Sequence, residues 1–290
     1  MSATHLATSR TTSPSTSALH PGAARPNGGA RLFSDTATIV QRNLITIRRV
    51  PQLLVFATIQ PIIFVLMFRY VFGGAIPLDG VSYVDYLMPG IFAQTVAFGA
   101  IGTGIGLSED LAKGLIDRFR SLPMAPSAVL LGRTVADVVR NVFVQVLMVA
   151  VGFLVGFRIH AGVPKFVLAI GVLLGLGFAL SWLFGLIGLI MKNAETTQAA
   201  AFPIMAPLVF ASNAFVNPAT MPSWLQGWAR NQPLSVAIST VRRLTFTDAQ
   251  AAAVGITQST TRLLITSSLW IVGLSMFFGV LAVHRYRQVA

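Results

Sequence analysis

Charged side chains able to take part in chemistry or in binding are concentrated in one short segment between two apolar runs. This segment, residues 108–126, reads SEDLAKGLIDRFRSLPMAP, and its apolar residues recur at helical spacing on one face. The acidic pair Glu109 and Asp110 stands near its start, where the dipole of a helix favours anions. The pattern predicts a short amphipathic helix that begins at this acidic pair. Two interpretations remain open: its apolar face binds a groove of another protein, or it lies on the lipid surface.

Motifs typical of an active site are absent from the sequence. There is no phosphate-binding loop of the form GxxxxGK[ST], no GxSxG motif and no cysteine. No two histidines have the spacing of metal ligands on a helix. The histidines are His5, His20, His160 and His284. We therefore expect that the chain is not an enzyme and has no catalytic, cofactor-binding or metal-binding residue.

The composition indicates a membrane protein. Hydrophobic residues make up 54% of the 290 residues and charged residues only 10%, whereas an average soluble domain has about 25% charged residues. The formal net charge is +12. Because the basic residues flank apolar runs and form no continuous patch, they are better suited to anionic lipid headgroups than to nucleic acid.

Six stretches are long and apolar enough to cross a bilayer, whose hydrocarbon core requires about 20 helical residues. They comprise residues 53–72, 86–107, 135–157, 166–191, 199–216 and 263–283. The fifth is the weakest, because Pro203 and Pro207 interrupt it. The sequence therefore predicts an all-α membrane protein with six transmembrane helices.

The distribution of Lys and Arg predicts the orientation of these spans. Basic residues precede the first span, fill the loop at 108–134 and follow the last span, which places both termini in the cytoplasm. The segment 217–262 is an exception. It is predicted to lie outside, and yet it contains Arg230, Arg242, Arg243 and Arg262.

Three segments outside the spans each predict a different structure. Residues 1–30 are rich in Ser, Thr, Ala, Pro and Gly, which predicts a disordered cytoplasmic tail. Residues 31–50 form an amphipathic pattern with a basic polar face, which predicts a helix in the membrane interface. Residues 217–246 carry Trp224 and Trp228 one helical turn apart, and we expect short helices on or dipping into the outer face.

Within the spans, few polar residues suggest a function. Asp137 and Arg140 are three residues apart and are interpreted as a local ion pair. The Gly102–Gly106 and Gly171–Gly175 patterns permit close approach of helices. The uncharged polar residues either line a substrate path or stabilise helix packing, and both interpretations remain open. They are Gln60, Gln94, Asn141, Gln145 and Asn213.

The order of these parts resembles the ABC-2 family of ABC-transporter permeases over residues 31–290. Within that family the chain looks most like the daunorubicin/doxorubicin-resistance permeases. The stretch YLMPGIFAQTVAFGAIGTGIGLSEDLAKGLIDRFRSLPMAPSAVLLGR at 86–133 carries the resemblance, and RNQPLSVAISTVRRL at 230–244 supports it.

The resemblance implies a function and an assembly. Two permease subunits, identical or different, would pair with two copies of a separate ATPase subunit that binds ATP and Mg. The substrate path would lie between the permease subunits in the cytoplasmic (inner) membrane, and an antibiotic or drug would move outward. The helix at 108–122 would be the coupling helix that docks into the ATPase. Its contact candidates are Glu109, Asp110, Asp117, Arg118, Phe119 and Arg120.

Two alternatives to a drug exporter remain open. The cargo of the exporter could be a lipid, glycolipid or polysaccharide, because the family has no fixed substrate-binding motif. The chain could also be a membrane scaffold that transports nothing. That second alternative explains the hydrophobicity but not the coupling-type helix.

Overall fold

The computed structural model describes the backbone of residues 52–72, 80–115 and 126–289, and the side chains of 58–71, 80–115 and 130–288. The predicted tail at 1–30 and the predicted interfacial helix at 31–50 lie outside these residues. So do Asp117, Arg118, Phe119 and Arg120 of the predicted docking segment.

The described part of the chain is built from α-helices and contains no strand, which confirms the all-α prediction. A π-helical turn, Phe68–Phe72, extends the first helix, and a 3-10 turn, Pro218–Thr220, precedes the sixth. In chain order the helices are α1 (Gln52–Met67), α2 (Tyr83–Ala112), α3 (Pro126–Leu154), α4 (Val163–Met191), α5 (Ala194–Phe210), α6 (Ser223–Asn231), α7 (Pro233–Thr245), α8 (Asp248–Ala253) and α9 (Thr260–Val289).

Four helices are long and apolar enough to cross a membrane: α2, α3, α4 and α9. They coincide with the second, third, fourth and sixth predicted spans. Each helix is longer than its predicted span, because the helix continues beyond the apolar residues that reveal it in the sequence. A helix of 30 residues, such as α2, measures about 45 Å, compared with about 30 Å for the hydrocarbon core.

The other two predicted spans correspond to shorter helices. The first coincides with α1 and its π-helical turn, within which 58–71 is a short apolar helix. The fifth coincides with α5, which has 17 residues and ends at Phe210, six residues before the predicted end. Such a helix measures about 26 Å, which is less than the core thickness. The count of six spans therefore stays a prediction.

The turn between α4 and α5 is fixed by two local features. Lys192 ends α4 in the left-handed conformation, with φ of 58°, and its N–H donates to the Gly188 carbonyl. Asn193 then caps α5, since its side-chain oxygen accepts hydrogen bonds from the backbone N–H groups of Glu195 and Thr196. Such caps satisfy helix-end groups that have no partner within the helix. The two helices can therefore reverse direction over only two residues.

Helix α2 lies at the centre of the described structure. Of the residues in its apolar stretch, 72% are buried, compared with 11% for α9. It contacts α1, α3, α4, α5 and α7. The exposed side chains of α9, by contrast, include Leu269, Met276 and Phe277. An apolar surface of this kind is suited to lipid or to another membrane-embedded subunit.

Two glycines allow α2 and α4 to approach each other closely. A Cβ atom added to Gly104 would collide with the carbonyl oxygen of Phe184, and one added to Gly188 would collide with the carbonyl oxygen of Gly104. Of the predicted pair Gly171–Gly175, only Gly175 lies at a close approach: a Cβ there would be 3.2 Å from Ile271 of α9, whereas one at Gly171 would meet nothing within 4 Å. Helices α2 and α4 also approach each other closely at the middle of α4, where a Cβ added to Gly177 would collide with the Val96 side chain of α2.

We predict that Gly188→Ala lowers the free energy of unfolding by about 1–3 kcal/mol, because overpacking forces the two backbones apart. Gly171→Ala is the matched control, since it makes the same change in the same helix but in open space. Thermal unfolding in detergent measures the difference. Equal stability of the two variants would contradict the close approach of α2 and α4.

Candidate functional site

The acidic pair of the predicted docking segment lies in the last turn of α2. The sequence predicted that a separate helix begins at this pair, and this is wrong for the described residues, because α2 continues unbroken to Ala112. The chain then turns at Lys113 and Gly114, where Gly114 has φ of 64°. Apolar side chains on both sides of the acidic pair keep the helical spacing, so the sequence offers no stop signal before this glycine.

The two acidic side chains have different environments. Glu109 lies at the surface and pairs with Lys113, one helical turn further on, at 3.1 Å between Oε2 and Nζ. Asp110 is largely buried and pairs with Arg133 of α3, at 3.0 Å between Oδ2 and Nη1. The Asp110 carboxylate therefore joins α2 to α3, whereas the Glu109 carboxylate is accessible to a partner. That either residue contacts an ATPase stays a prediction.

A second polar contact joins the same two helices two turns deeper. Asp137 of α3 accepts a hydrogen bond from Thr103 of α2 and forms an ion pair with Arg140 at 3.0 Å. This confirms the predicted local pair. Arg140 also donates from Nη2 to the Gly99 carbonyl of α2 at 2.6 Å. The pair thus belongs to a network between helices and is not confined to α3.

Glycines on α2 make room for these side chains. A Cβ added to any of three glycines would collide with a polar side chain of α3. The pairs are Gly99 with Asn141, Gly102 with Arg140 and Gly106 with Arg133. The glycine pattern noted in the sequence therefore accommodates arginine side chains and not a second backbone.

Taken together, these contacts join α2, which precedes the segment 113–125, to α3, which follows it. We call this set of contacts the clamp. A third hydrogen bond, from Gln145 Nε2 to the Phe92 carbonyl at 2.6 Å, extends the clamp further along the two helices. Ion pairs and hydrogen bonds in an apolar surrounding hold helices at fixed register. The arrangement is mechanical, and among the described residues no group of three His, Asp or Glu side chains could hold a metal ion.

The opposite end of α2 is held by Arg242 of α7, which is 2% exposed. Its Nε and Nη2 donate to the Tyr86 carbonyl at 3.1 and 2.9 Å, and Nη2 also donates to the Ala214 carbonyl at 3.1 Å. The guanidinium carbon lies 3.6 Å from the centre of the Tyr86 ring, which adds a cation–π interaction. One side chain thus joins α2, α7 and the turn after α5.

Sequence reasoning did not identify Arg242 as a structural residue. The signal was present, because Arg242 belongs to the basic residues that contradict the predicted outside position of 217–262. A basic residue that breaks the charge rule can be retained because its charge is used inside the protein.

Two of the polar residues with an open role are used in packing. Gln145 donates to the Phe92 carbonyl, as described above. Asn213 Nδ2 donates to the Ser235 carbonyl at 3.3 Å and to Ser239 Oγ at 2.8 Å. These contacts favour the packing interpretation for both residues. Gln60, by contrast, is exposed.

The fold and these contacts define a helical domain with four helices long and apolar enough to cross a membrane, in which a charged segment joins two clamped helices. A comparison of the sequence with family profiles gives the class. The profile described as "ABC-2 type transporter" matches residues 34–246. The chain therefore belongs to the ABC-2 transporter family, and it is a transmembrane permease of that family.

Individual relatives agree with this assignment. The chain is 36% identical over 215 residues to the daunorubicin resistance ABC transporter permease protein DrrB1 of Streptomyces coeruleorubidus, covering 74% of this chain and 76% of the relative. It is 30% identical over 230 residues to the doxorubicin resistance ABC transporter permease protein DrrB of Mycobacterium tuberculosis, covering 72% and 80%. A putative transport permease, ycf38, of Cyanophora paradoxa is 25% identical, covering 71% and 72%.

We predict that Asp110→Asn lowers the free energy of unfolding by about 2 kcal/mol, because it leaves the partly buried Arg133 without its counter-charge. Glu109→Gln is the matched control. It removes the same charge from the neighbouring residue, whose pair is exposed and is expected to contribute less than about 1 kcal/mol. Unfolding of the purified variants in detergent compares them. A larger loss for Glu109→Gln than for Asp110→Asn would contradict the clamp.

Proposed function

We propose that this chain is the permease subunit of an ATP-driven ABC exporter that moves a hydrophobic or amphipathic compound of the antibiotic or drug type out of the cell. The observation that carries the proposal is the similarity, over about three quarters of both chains, to a relative named as a daunorubicin resistance permease. The family membership supports transport, and the relatives' names support the cargo.

The energy for export comes from a separate ATPase subunit in this proposal. The sequence has no GxxxxGK[ST] loop with which to bind ATP itself. The segment 113–125 is the place where we expect the ATPase to dock. Two features of the described residues support this. Glu109 exposes 47% of its side chain beside the segment. The clamp joins α2, which leads into the segment, to α3, which follows it.

The clamp explains how docking would act on transport. A displacement of the segment 113–125 would be passed to α2 and α3 together, since Arg133 and Arg140 bind both helices to each other. Because α2 contacts most of the other helices, their positions would change with it. The proposal places the segment and both termini in the cytoplasm, and the chain in the inner membrane.

A second permease subunit completes the path. Helices α3 and α9 expose apolar side chains such as Phe143, Val146 and Leu269. Such surfaces are suited to lipid or to a second permease, identical or different. Two copies of the ATPase would then serve the two permeases.

We expect that the double variant Glu109→Lys and Asp117→Lys loses both its co-purifying ATPase and its export of daunorubicin, because the reversed charges would repel a docking surface that accommodates the native ones. The measurements are affinity purification from native membranes and drug efflux from cells. Asp248→Lys is the control, since it reverses one exposed charge far from the docking segment and is expected to retain both properties.

Three outcomes divide the possibilities. A charge-reversed variant that keeps both its ATPase and its efflux would show that the docking surface is elsewhere. If a strain without the chain exports drugs normally but no longer exports a lipid, glycolipid or polysaccharide, that compound is the cargo and the drug is not. A wild-type chain that purifies with no ATPase in several mild detergents would support the scaffold alternative.

A further inference from the structure

A cavity of about 370 Å³ lies between α6, α7, α9 and the loop from α8 to α9. Three arginines line it from three different helices, namely Arg230 of α6, Arg242 of α7 and Arg262 of α9. Among the described residues, no Asp or Glu lines the cavity. The cavity therefore has a concentrated positive charge that the protein itself does not neutralise there.

The acidic residue nearest in sequence, Asp248, is paired elsewhere. Asp248, at the start of α8, forms an ion pair with Arg243 at 2.6 Å. The hydrogen bond from Arg243 is the main reason that the pKa of Asp248 lies below its ordinary value, so this carboxylate stays ionised and bound to Arg243. Within the described part of the chain, Arg230, Arg242 and Arg262 have no ion pair with a carboxylate.

Arg242 is the fixed part of this cavity. Its Nε and Nη2 are held by carbonyl oxygens, and its guanidinium carbon lies over the Tyr86 ring. Burial lowers the pKa of Arg242 below its ordinary value, but an arginine side chain stays protonated in proteins. A buried charge without an anionic partner is unfavourable, and a bound anion would offset this cost.

The surroundings indicate which kind of anion fits. Val254, Ile256 and Leu263 line part of the cavity beside the arginines, so the site accommodates an apolar group next to a charged one. Polar side chains, such as those of Asn217 and Gln258, form most of the remaining lining. Trp224 and Trp228 of α6 are 79% and 50% exposed, and tryptophan prefers the headgroup level of a membrane. Arginine forks bind carboxylate or phosphate oxygens in pairs. A phosphate group has three acceptor oxygens and can therefore accept hydrogen bonds from more than one of the arginines that line the cavity.

We propose that this cavity is a binding site for the phosphate group of an amphipathic phosphate ester, such as the headgroup of an anionic phospholipid. The site goes beyond the proposed transport function and does not depend on it. It gives a physical reason for basic residues in a segment where the distribution of charge would disfavour them.

The test is binding of three probes to the full chain in detergent, followed by native mass spectrometry. The probes are a short-chain phosphatidic acid, the diacylglycerol that lacks only its phosphate, and inorganic phosphate. We expect phosphatidic acid to bind and diacylglycerol not to bind. The double variant Arg230→Gln and Arg262→Gln should weaken binding of phosphatidic acid at least tenfold.

Arg243→Gln is the matched control, since it removes a charge next to Arg242 in sequence but from a residue that does not line the cavity. Arg230 and Arg262 are both exposed, so their replacement is expected to leave the fold intact. Arg242→Gln is a less suitable variant, because Arg242 also holds α2.

Inorganic phosphate that displaces phosphatidic acid with equal affinity would support the phosphate site and assign it to soluble phosphate compounds. Diacylglycerol binding equal to that of phosphatidic acid, or equal binding by the double variant and Arg243→Gln, would overturn the proposal.

Discussion

Side chains of the neighbouring helices reach the backbone of α2, and the rest of the described structure depends on these contacts. Three carbonyl groups along α2, those of Tyr86, Phe92 and Gly99, accept hydrogen bonds from side chains of α7 and α3. Helices surrounded by lipid gain little from the hydrophobic effect when they associate, so close packing and polar contacts must hold them together. The glycines of α2 make both possible, because they leave space for arginine side chains on one side and for the backbone of α4 on another.

These contacts hold both ends of α2. One end of α2 is joined to α3 by Asp110 and Arg133, next to the segment where we propose that an ATPase docks. The other end is joined to α7 by Arg242, which lines the cavity where we propose that a phosphate group binds. A helix of 30 residues held at both ends by buried charge is suited to pass a displacement from one end to the other as a single body. The central claim about how docking would act on transport is therefore that α2 and α3 move together.

The sequence predicted the parts of this fold that depend on long apolar runs. Helices α2, α3, α4 and α9 coincide with predicted spans, because a run of about 20 apolar residues has few alternatives to a membrane helix. Predictions that depended on short signals succeeded less well. The apolar residues keep their helical spacing past Ala112, so the sequence did not indicate that α2 ends there. A glycine pattern alone does not tell whether the space beside it is filled by a backbone or by an arginine side chain. The charge rule marks Arg242 as an exception, but its partners Tyr86 and Ala214 are distant in sequence, so no local pattern identifies its packing role.

The most direct test of the central claim is a distance between α2 and α3 in the working complex. The sequence contains no cysteine, so two introduced cysteines at the exposed positions Ala112 of α2 and Val139 of α3 can carry spin labels without other changes. Pulsed electron paramagnetic resonance then measures the distance between the labels in the complex with its ATPase, with and without bound ATP. Our account predicts the same distance in both states, because the clamp keeps the two helices together. A change in this distance on ATP binding would contradict it, since α2 and α3 would then move independently.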